Sequence, residues 1–343
     1  MIVAQDLSKT FRTASRKPGA AAFLRYLFHR EYKEIQAVKN LSFSIPKGSI
    51  CGFLGANGAG KTTTLKMLSG LIQPSSGTVR TGGFDPFERR KDFLRRITLV
   101  IGQKQQLIWD LPALDSLRVN AAVYEIDAAE AQRRIAELSE LLGVSQKLDQ
   151  PMRKLSLGER MKCELLAALL HRPEILFLDE PTLGLDINAQ QSIRSFLREY
   201  NARYGATILL TSHYMADITA LCERVLVMHE GSLVYDGSLQ AIVDRATPVR
   251  EVEFELSQPT TTDVLQRFGE VAEHSELKVR LLVPRSELTH TLAHIFEQLQ
   301  PTDLSVKEPP IEAVMGQLLR DGKVEPIGTP IQPAADKHEA VRV

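Results

Sequence analysis

The stretch FLGANGAGKTTTLKMLSG, Phe53 to Gly70, packs four glycines, two lysines and three threonines into a short space. Ser49 to Leu54 reads as a short apolar strand. Gly55, Gly58 and Gly60 fall in a loop, and Thr62 to Leu68 opens a helix. Glycine lets successive N–H groups turn inward, and the helix N-terminus adds its positive dipole end. The product is a concave nest for phosphate oxygens. Lys61 places a point charge beside the β- and γ-phosphates, and Thr62 offers a hydroxyl to Mg²⁺. The spacing is the G-x-x-x-x-G-K-[ST] phosphate loop.

A second stretch, EILFLDEPTLGLD, covers Glu174 to Asp186. Ile175 to Leu178 is a continuous apolar run, the pattern of a strand buried on both faces of a parallel sheet. Asp179 emerges at its carboxyl end, where such sheets place ligands. An aspartate there holds Mg²⁺ in phosphate-loop enzymes. Glu180 follows directly, so its side chain points elsewhere and suits the task of orienting an attacking water.

Composition narrows the setting. Lysine plus arginine equals aspartate plus glutamate at 42 each, which gives no overall pull toward nucleic acid or acidic lipid. Cys51, Cys163 and Cys222 are few and widely spaced, as expected of reduced thiols in a cytosolic chain. The start, MIVAQDLSKTF, lacks the pattern of a signal peptide. No run approaches the roughly 18 apolar residues of a spanning helix. A membrane role is therefore expected to act through a partner.

In this order the motifs resemble those of the ATP-binding subunit of an ABC transporter, over about residues 1–245. Gly55, Asn57, Gly58, Ala59, Gly60, Lys61, Thr62 and Thr63 resemble its phosphate loop. Gln103 resembles the glutamine loop, with Gln105 and Gln106 close enough to take that role instead. LSLGE, Leu155 to Glu159, resembles the signature LSGGQ; LGLD, ending at Asp186, the D-loop; and His213 the switch histidine. Phe11 stands where the family stacks an aromatic on adenine. The resemblance implies an α/β phosphate-loop ATPase domain with a helical subdomain at residues 105–165. It implies ATP and Mg²⁺ as cofactors, Thr62, Gln103 and Asp179 toward the metal, and Glu180, His213 and Gln103 in catalysis. Ser156, Leu157, Gly158, Glu159 and Asp186 are then expected to meet ATP held by the opposite subunit of a homodimer or heterodimer. Membrane-spanning permease subunits on separate chains are the implied partners, at the cytoplasmic face of the inner membrane, with no nucleic acid. A soluble ATPase of the same class, acting on ribosomes or DNA, is the alternative. Leu157 and Glu159 depart from the signature, and slower hydrolysis is expected.

Residues 12–35 lengthen the chain before the phosphate loop. Ala20 to Tyr32 reads as a helix with Phe23, Leu24, Leu27 and Phe28 on one face and Arg25, Arg30 and Lys33 around it. It suits either packing on its own domain or docking on a membrane subunit. The segment resembles one in ABC-2 type exporters, viologen exporters included, and Trp109 falls where the family docks its membrane partner. Phe87 to Arg96 reads as a basic, solvated helix. Asp127 and Gly143 read as caps of one helix.

After Thr247 the character changes. REVEFEL and LKVRLLV alternate, with Val252, Phe254 and Leu256, then Leu277, Val279 and Leu281, facing inward. Helical spacing follows each strand: Val264, Leu265 and Phe268, then Leu288, Leu292, Ile295 and Phe296. DLSVKEP and a helix from Pro310 to Leu319 complete a small α/β unit at 246–320, read as regulatory or dimerising. Residues 321–343, rich in proline and polar residues, read as a disordered tail.

Overall fold

The computed structural model describes residues 1–14, 32–102, 105–212, 214–246, 249–307 and 315. The chain divides into two compact units, Met1–Leu239 and Gln240–Val343.

In the first unit, β1 (Ile2–Ala14) and β2 (Tyr32–Ile45) form an antiparallel hairpin. β3 (Ile50–Gly55) leads through the glycine loop into α1 (Lys61–Leu68), and β4 (Ser76–Thr81) returns beside β1. After the single turn α2 (Lys91–Leu94) come β5 (Ile97–Ile101) and three longer helices: α3 (Ala113–Val123), α4 (Ala128–Leu142) and α5 (Leu157–Leu169). The chain continues through β6 (Ile175–Asp179), α6 (Ile187–Tyr204), β7 (Thr207–Thr211), α7 (Met215–Leu221), β8 (Arg224–His229) and β9 (Ser232–Ser238).

Two sheets result. One has the order β2-β1-β4; the other runs β5-β6-β7-β3-β8-β9. The second is parallel from β5 to β8, and β9 closes it antiparallel. Every residue of β6 and β7 is buried, as the unbroken apolar runs require of strands covered on both faces. Leu65, Met67 and Leu68 of α1 join Ile2, Leu7 and Leu41 of the first sheet and Phe53, Phe177 and Leu226 of the second in one apolar cluster. The helix behind the glycine loop is thereby fixed in the core. β3 and β6 deliver their carboxyl ends to the same edge, with β7 between them.

In α4, the Asp127 carboxylate accepts from the N–H groups of Ala129 and Glu130, and Gly143 closes the helix at φ 65°. Both ends are those expected. Two other segments differ from expectation. Arg12 to Ala14 and Tyr32 to Ile35 continue the hairpin, with Arg12 opposite Glu34 and Ala14 opposite Tyr32. The helix expected over Ala20–Tyr32 lies outside the described residues except for Tyr32, which opens a strand instead. The basic stretch Phe87–Arg96 is one helical turn rather than a helix. Pro86 starts a 3-10 turn, and Arg89 takes φ 45°, which breaks helical continuity. Phe93 is buried there, and Lys91 and Arg95 both bind Glu125.

α8 (Leu239–Ala246) spans the boundary between the units. The second unit holds β10 (Val249–Glu255), the turn α9 (Thr262–Leu265), β11 (Glu270–His274), β12 (Lys278–Pro284), α10 (Leu288–Leu299) and β13 (Asp303–Lys307). Its sheet runs β11-β12-β10-β13 with antiparallel neighbours. Val252, Phe254, Leu256, Val279, Leu281 and Ile295 form its core. Leu277, expected inside, precedes β12 and is exposed, and Phe296 points outward from α10. β11 was not anticipated, because EVAEH offers one apolar position that alternation can use. The expected helix 310–319 and tail 321–343 lie outside the described residues apart from residue 315. Among the described residues no helix is long and apolar enough to cross a membrane.

Leu281 is fully buried in this smaller core. Leu281→Ala is expected to cost about 2–5 kcal/mol in the second unit. Hydrogen exchange of β10 and β12 under mild urea checks it.

Candidate nucleotide site

The glycine loop has the shape its sequence implies. Gly60 takes φ 102°, and a Cβ there would lie 2.4 Å from the carbonyl oxygen of Ala37, so no larger residue fits. Ala56, Asn57 and Gly58 are exposed, while Ala59, Gly60 and Lys61 are buried beneath them. Lys61 begins α1, where the first N–H groups of any helix lack intrahelical acceptors and face outward. Its ammonium folds back over the loop and donates to the carbonyls of Gly55 (2.7 Å) and Ala56 (3.1 Å). Burial pushes the Lys61 pKa down, while Glu180 and Asp179 act in the opposite sense. The loop thus holds a desolvated cation beside two acids.

Asp179 ends β6 and is buried. One carboxylate oxygen accepts from the Thr62 hydroxyl and the other from the Thr211 hydroxyl, each at 2.8 Å. Thr62 lies in the first turn of the helix after β3, and Thr211 ends β7, so this carboxylate ties the carboxyl end of β6 to both. Glu180 comes next with φ 54°, an uncommon conformation for a non-glycine residue. Its N–H donates to the Thr211 hydroxyl (3.0 Å) and carbonyl (3.2 Å). The positive φ turns Glu180 away from the direction an extended strand would give it.

Ser156 caps α5. Its hydroxyl accepts from the N–H of Glu159, and the Glu159 carboxylate accepts from the N–H of Ser156 at 2.9 Å. This reciprocal capping box satisfies two helix-end donors. Lys147 lies 3.0 Å from the other Glu159 oxygen. The bond from the Ser156 N–H, then Lys147, holds the Glu159 pKa below the usual carboxylate range. The negative charge expected to stand near an interface is therefore engaged within the subunit. The Ser156 hydroxyl still has its proton to donate. Leu157 is half exposed and has no positive φ, so the leucine fits the local backbone. At Gly158 a Cβ would lie 2.8 Å from that of Ala189, so the start of α5 meets α6 at closest approach. Asp186 caps α6 by accepting from the N–H of Ala189 at 2.9 Å.

Residues 38–183 match the family model described as ABC transporter, and residues 248–307 that described as EvrA-like ABC transporter, C-terminal domain. The chain is 30% identical over 308 residues to the linearmycin resistance ATP-binding protein LnrL of Bacillus subtilis (strain 168), covering 85% of this chain and 97% of the relative. It is 34% identical over 282 residues to the Nod factor export ATP-binding protein I of Paraburkholderia xenovorans (strain LB400), covering 81% and 87%. A solved ATP-binding subunit of an ABC transporter superimposes with TM-score 0.58 at 26% identity, over 71% of this chain and 92% of that one. The chain belongs to the ABC transporter ATP-binding family.

Within this ABC ATPase, the expected glutamine Gln103 and switch histidine His213 lie outside the described residues. Their surroundings do not. Just past Gln103, the N–H groups of Gln106 (2.9 Å) and Leu107 (3.2 Å) donate to the carboxylate of Glu164, buried on α5. Trp109 lies with its ring 4.9 Å from the Arg160 guanidinium and stays partly exposed. Phe11 pairs across the hairpin with Ile35, and Lys9 lies 5.3 Å from its ring. The sequence reading missed Thr211, Glu164 and Lys147. Ser156-x-x-Glu159 carried a readable capping-box signal, and Thr211 stood two residues before the expected switch histidine. Glu164 gave no signal, because a glutamate in a helix ordinarily faces solvent.

Thr211→Val keeps the shape of the side chain and removes both of its hydroxyl bonds. It is expected to lower ATP turnover at least tenfold with little loss of fold, read by steady-state ATPase assay beside a thermal melt. Burial raises the Glu164 pKa, opposed by the two N–H donors. The native state then holds this proton more tightly than the unfolded chain does. Its share of stability is full below the unfolded value and is lost as pH rises through the raised native value. Glu164→Gln is expected to flatten that part of the decline, seen in urea melts as a smaller loss of stability with rising pH than in the parent chain.

Proposed function

We propose that the chain binds and hydrolyses ATP to power a membrane exporter of the ABC-2 type. It would act as a nucleotide-sandwich dimer docked on separate membrane subunits at the cytoplasmic face. The observation that carries the reading is the convergence of Thr62 and Asp179 beside Lys61, with Glu180 one residue on. The names of the two relatives, one for Nod factor export and one for linearmycin resistance, support outward transport.

The donor pair fits Mg²⁺. A hydroxyl and a carboxylate oxygen 2.8 Å apart are hard oxygen ligands of the kind this ion takes alongside phosphate and water. Thr62 and Asp179 would hold it, with Gln103 expected to add its amide oxygen. Bound there, the ion would neutralise charge developing on the β- and γ-phosphates. Lys61 would exchange its carbonyl partners for phosphate oxygens and keep its charge beside them. The loop N–H groups would fix the phosphates in place. Glu180 would orient the attacking water and accept its proton, while His213 would donate to the γ-phosphate. Ser156 and the N–H of Gly158 would reach the nucleotide of the opposite subunit, and Phe11 would stack on adenine. The second unit is read as a regulatory or dimerising part.

Glu180→Gln keeps the size of the side chain and removes the base. ATP uptake is expected to persist, turnover to fall by about 10²–10⁴-fold, and an ATP-bound dimer to accumulate. Calorimetry, steady-state turnover and gel filtration with Mg²⁺ and ATP check the three. Unchanged turnover would show that Glu180 is not the base.

A further inference from the structure

Asp217 is a carboxylate the reaction does not use, yet it is 1% exposed, more deeply buried than either acid of the nucleotide site. It lies on α7. One of its oxygens accepts two hydroxyl bonds, from Thr182 (2.5 Å) and Ser212 (2.6 Å). The other faces the Arg194 guanidinium on α6 at 3.5 Å, close enough for an ion pair though not aligned as a hydrogen bond.

The two hydroxyls stand at informative places. Thr182 is two residues beyond Glu180, in the turn where the N–H of Leu183 meets the carbonyl of Glu180 and the N–H of Leu185 meets that of Thr182, both at 3.2 Å. Ser212 is one residue before His213, and its hydroxyl also accepts from the N–H of Tyr214, on the far side, at 3.0 Å. Both hydroxyl residues are buried. Glu180 holds a strained φ of 54°, and such conformations persist only where the surroundings over-determine them. Thr211 fixes the N-terminal side of Glu180. Thr182, through Asp217, fixes the other.

We infer that Asp217 is a positioning residue for ATP hydrolysis: its carboxylate ties the turn after Glu180 to Ser212, the residue that follows β7, and Arg194 holds it in place. The inference rests on the ATPase reading above. None of these groups is placed on the nucleotide, so they set the geometry of the reacting side chains and leave the phosphate loop alone. One buried oxygen shared by two hydroxyls links the two segments through a single side chain. Glu180 is then kept in register with the end of β7.

The test uses the full chain with Mg²⁺ and ATP. Thr182→Val, of the same shape but without the hydroxyl, is expected to lower kcat about tenfold with KM for ATP changed less than twofold. Thr182→Ser, which keeps the hydroxyl, is expected to recover most of that loss. Asp217→Ala is expected to lower kcat at least as far, and adding Thr182→Val to it to cost no more, because the shared bond is already gone. A Thr182→Val chain with the parent kcat would overturn the inference. So would an equal loss in Thr182→Val and Thr182→Ser, or a loss that appears in KM alone. If Asp217→Ala does not fold, the Thr182 pair decides. Failure of the ATPase reading itself would show separately, as unchanged turnover in Glu180→Gln.

Discussion

Asp179 is held between two hydroxyls, and the nucleotide site is arranged around that pair of bonds. A buried carboxylate is costly unless its oxygens are satisfied. Here Thr62 comes from the helix behind the glycine loop and Thr211 from the strand between β3 and β6, so satisfying one acid fixes two neighbouring segments. Lys61 lies within electrostatic reach and opposes the same charge. Thr211 also receives the N–H of Glu180 and so sets where that residue begins. The helix behind the loop, Asp179 and Glu180 are one hydrogen-bonded assembly.

The local shape of the candidate nucleotide site was legible in the sequence because its parts are local. A glycine loop, a buried strand ending in two acids and a serine at a helix start each carry their reason within a few residues. The parts that stayed hidden act over long separations. Glu164 bonds residues 57 and 58 positions earlier in the chain, and Thr182 meets Asp217 across 35. No periodicity or cap rule marks such partners, because topology alone brings them together. The basic stretch at Phe87–Arg96 misled for a related reason. Its charges suggested a solvated helix, but Lys91 and Arg95 are drawn to Glu125, while Phe93 turns inward. In the second unit β11 was missed because its two apolar residues, Val271 and Ala272, are adjacent and so mark no alternation.

The signature region shows how a departure from a family pattern can be absorbed locally. A glutamate for glutamine brings a charge, and the charge finds two partners at once: the N–H of Ser156 and the ammonium of Lys147. The carboxylate also suits the positive end of the helix dipole. Leucine for glycine costs little because its position is the first of the helix rather than a left-handed turn. Gly158, the residue kept, is the one that steric contact with α6 demands. Packing therefore explains which of the two glycines is dispensable.

The deepest acid in this region is not in the site but behind it. An ATPase must hold its base near a γ-phosphate whose charge and position change during turnover, and a base in a strained conformation will relax unless both flanks are held. Solvent-exposed contacts would be screened and mobile. Buried hydroxyl-to-carboxylate bonds are neither, and the low local dielectric strengthens them. The bonds from Thr182 and Ser212 to Asp217, with Arg194 beside it, are of that buried kind.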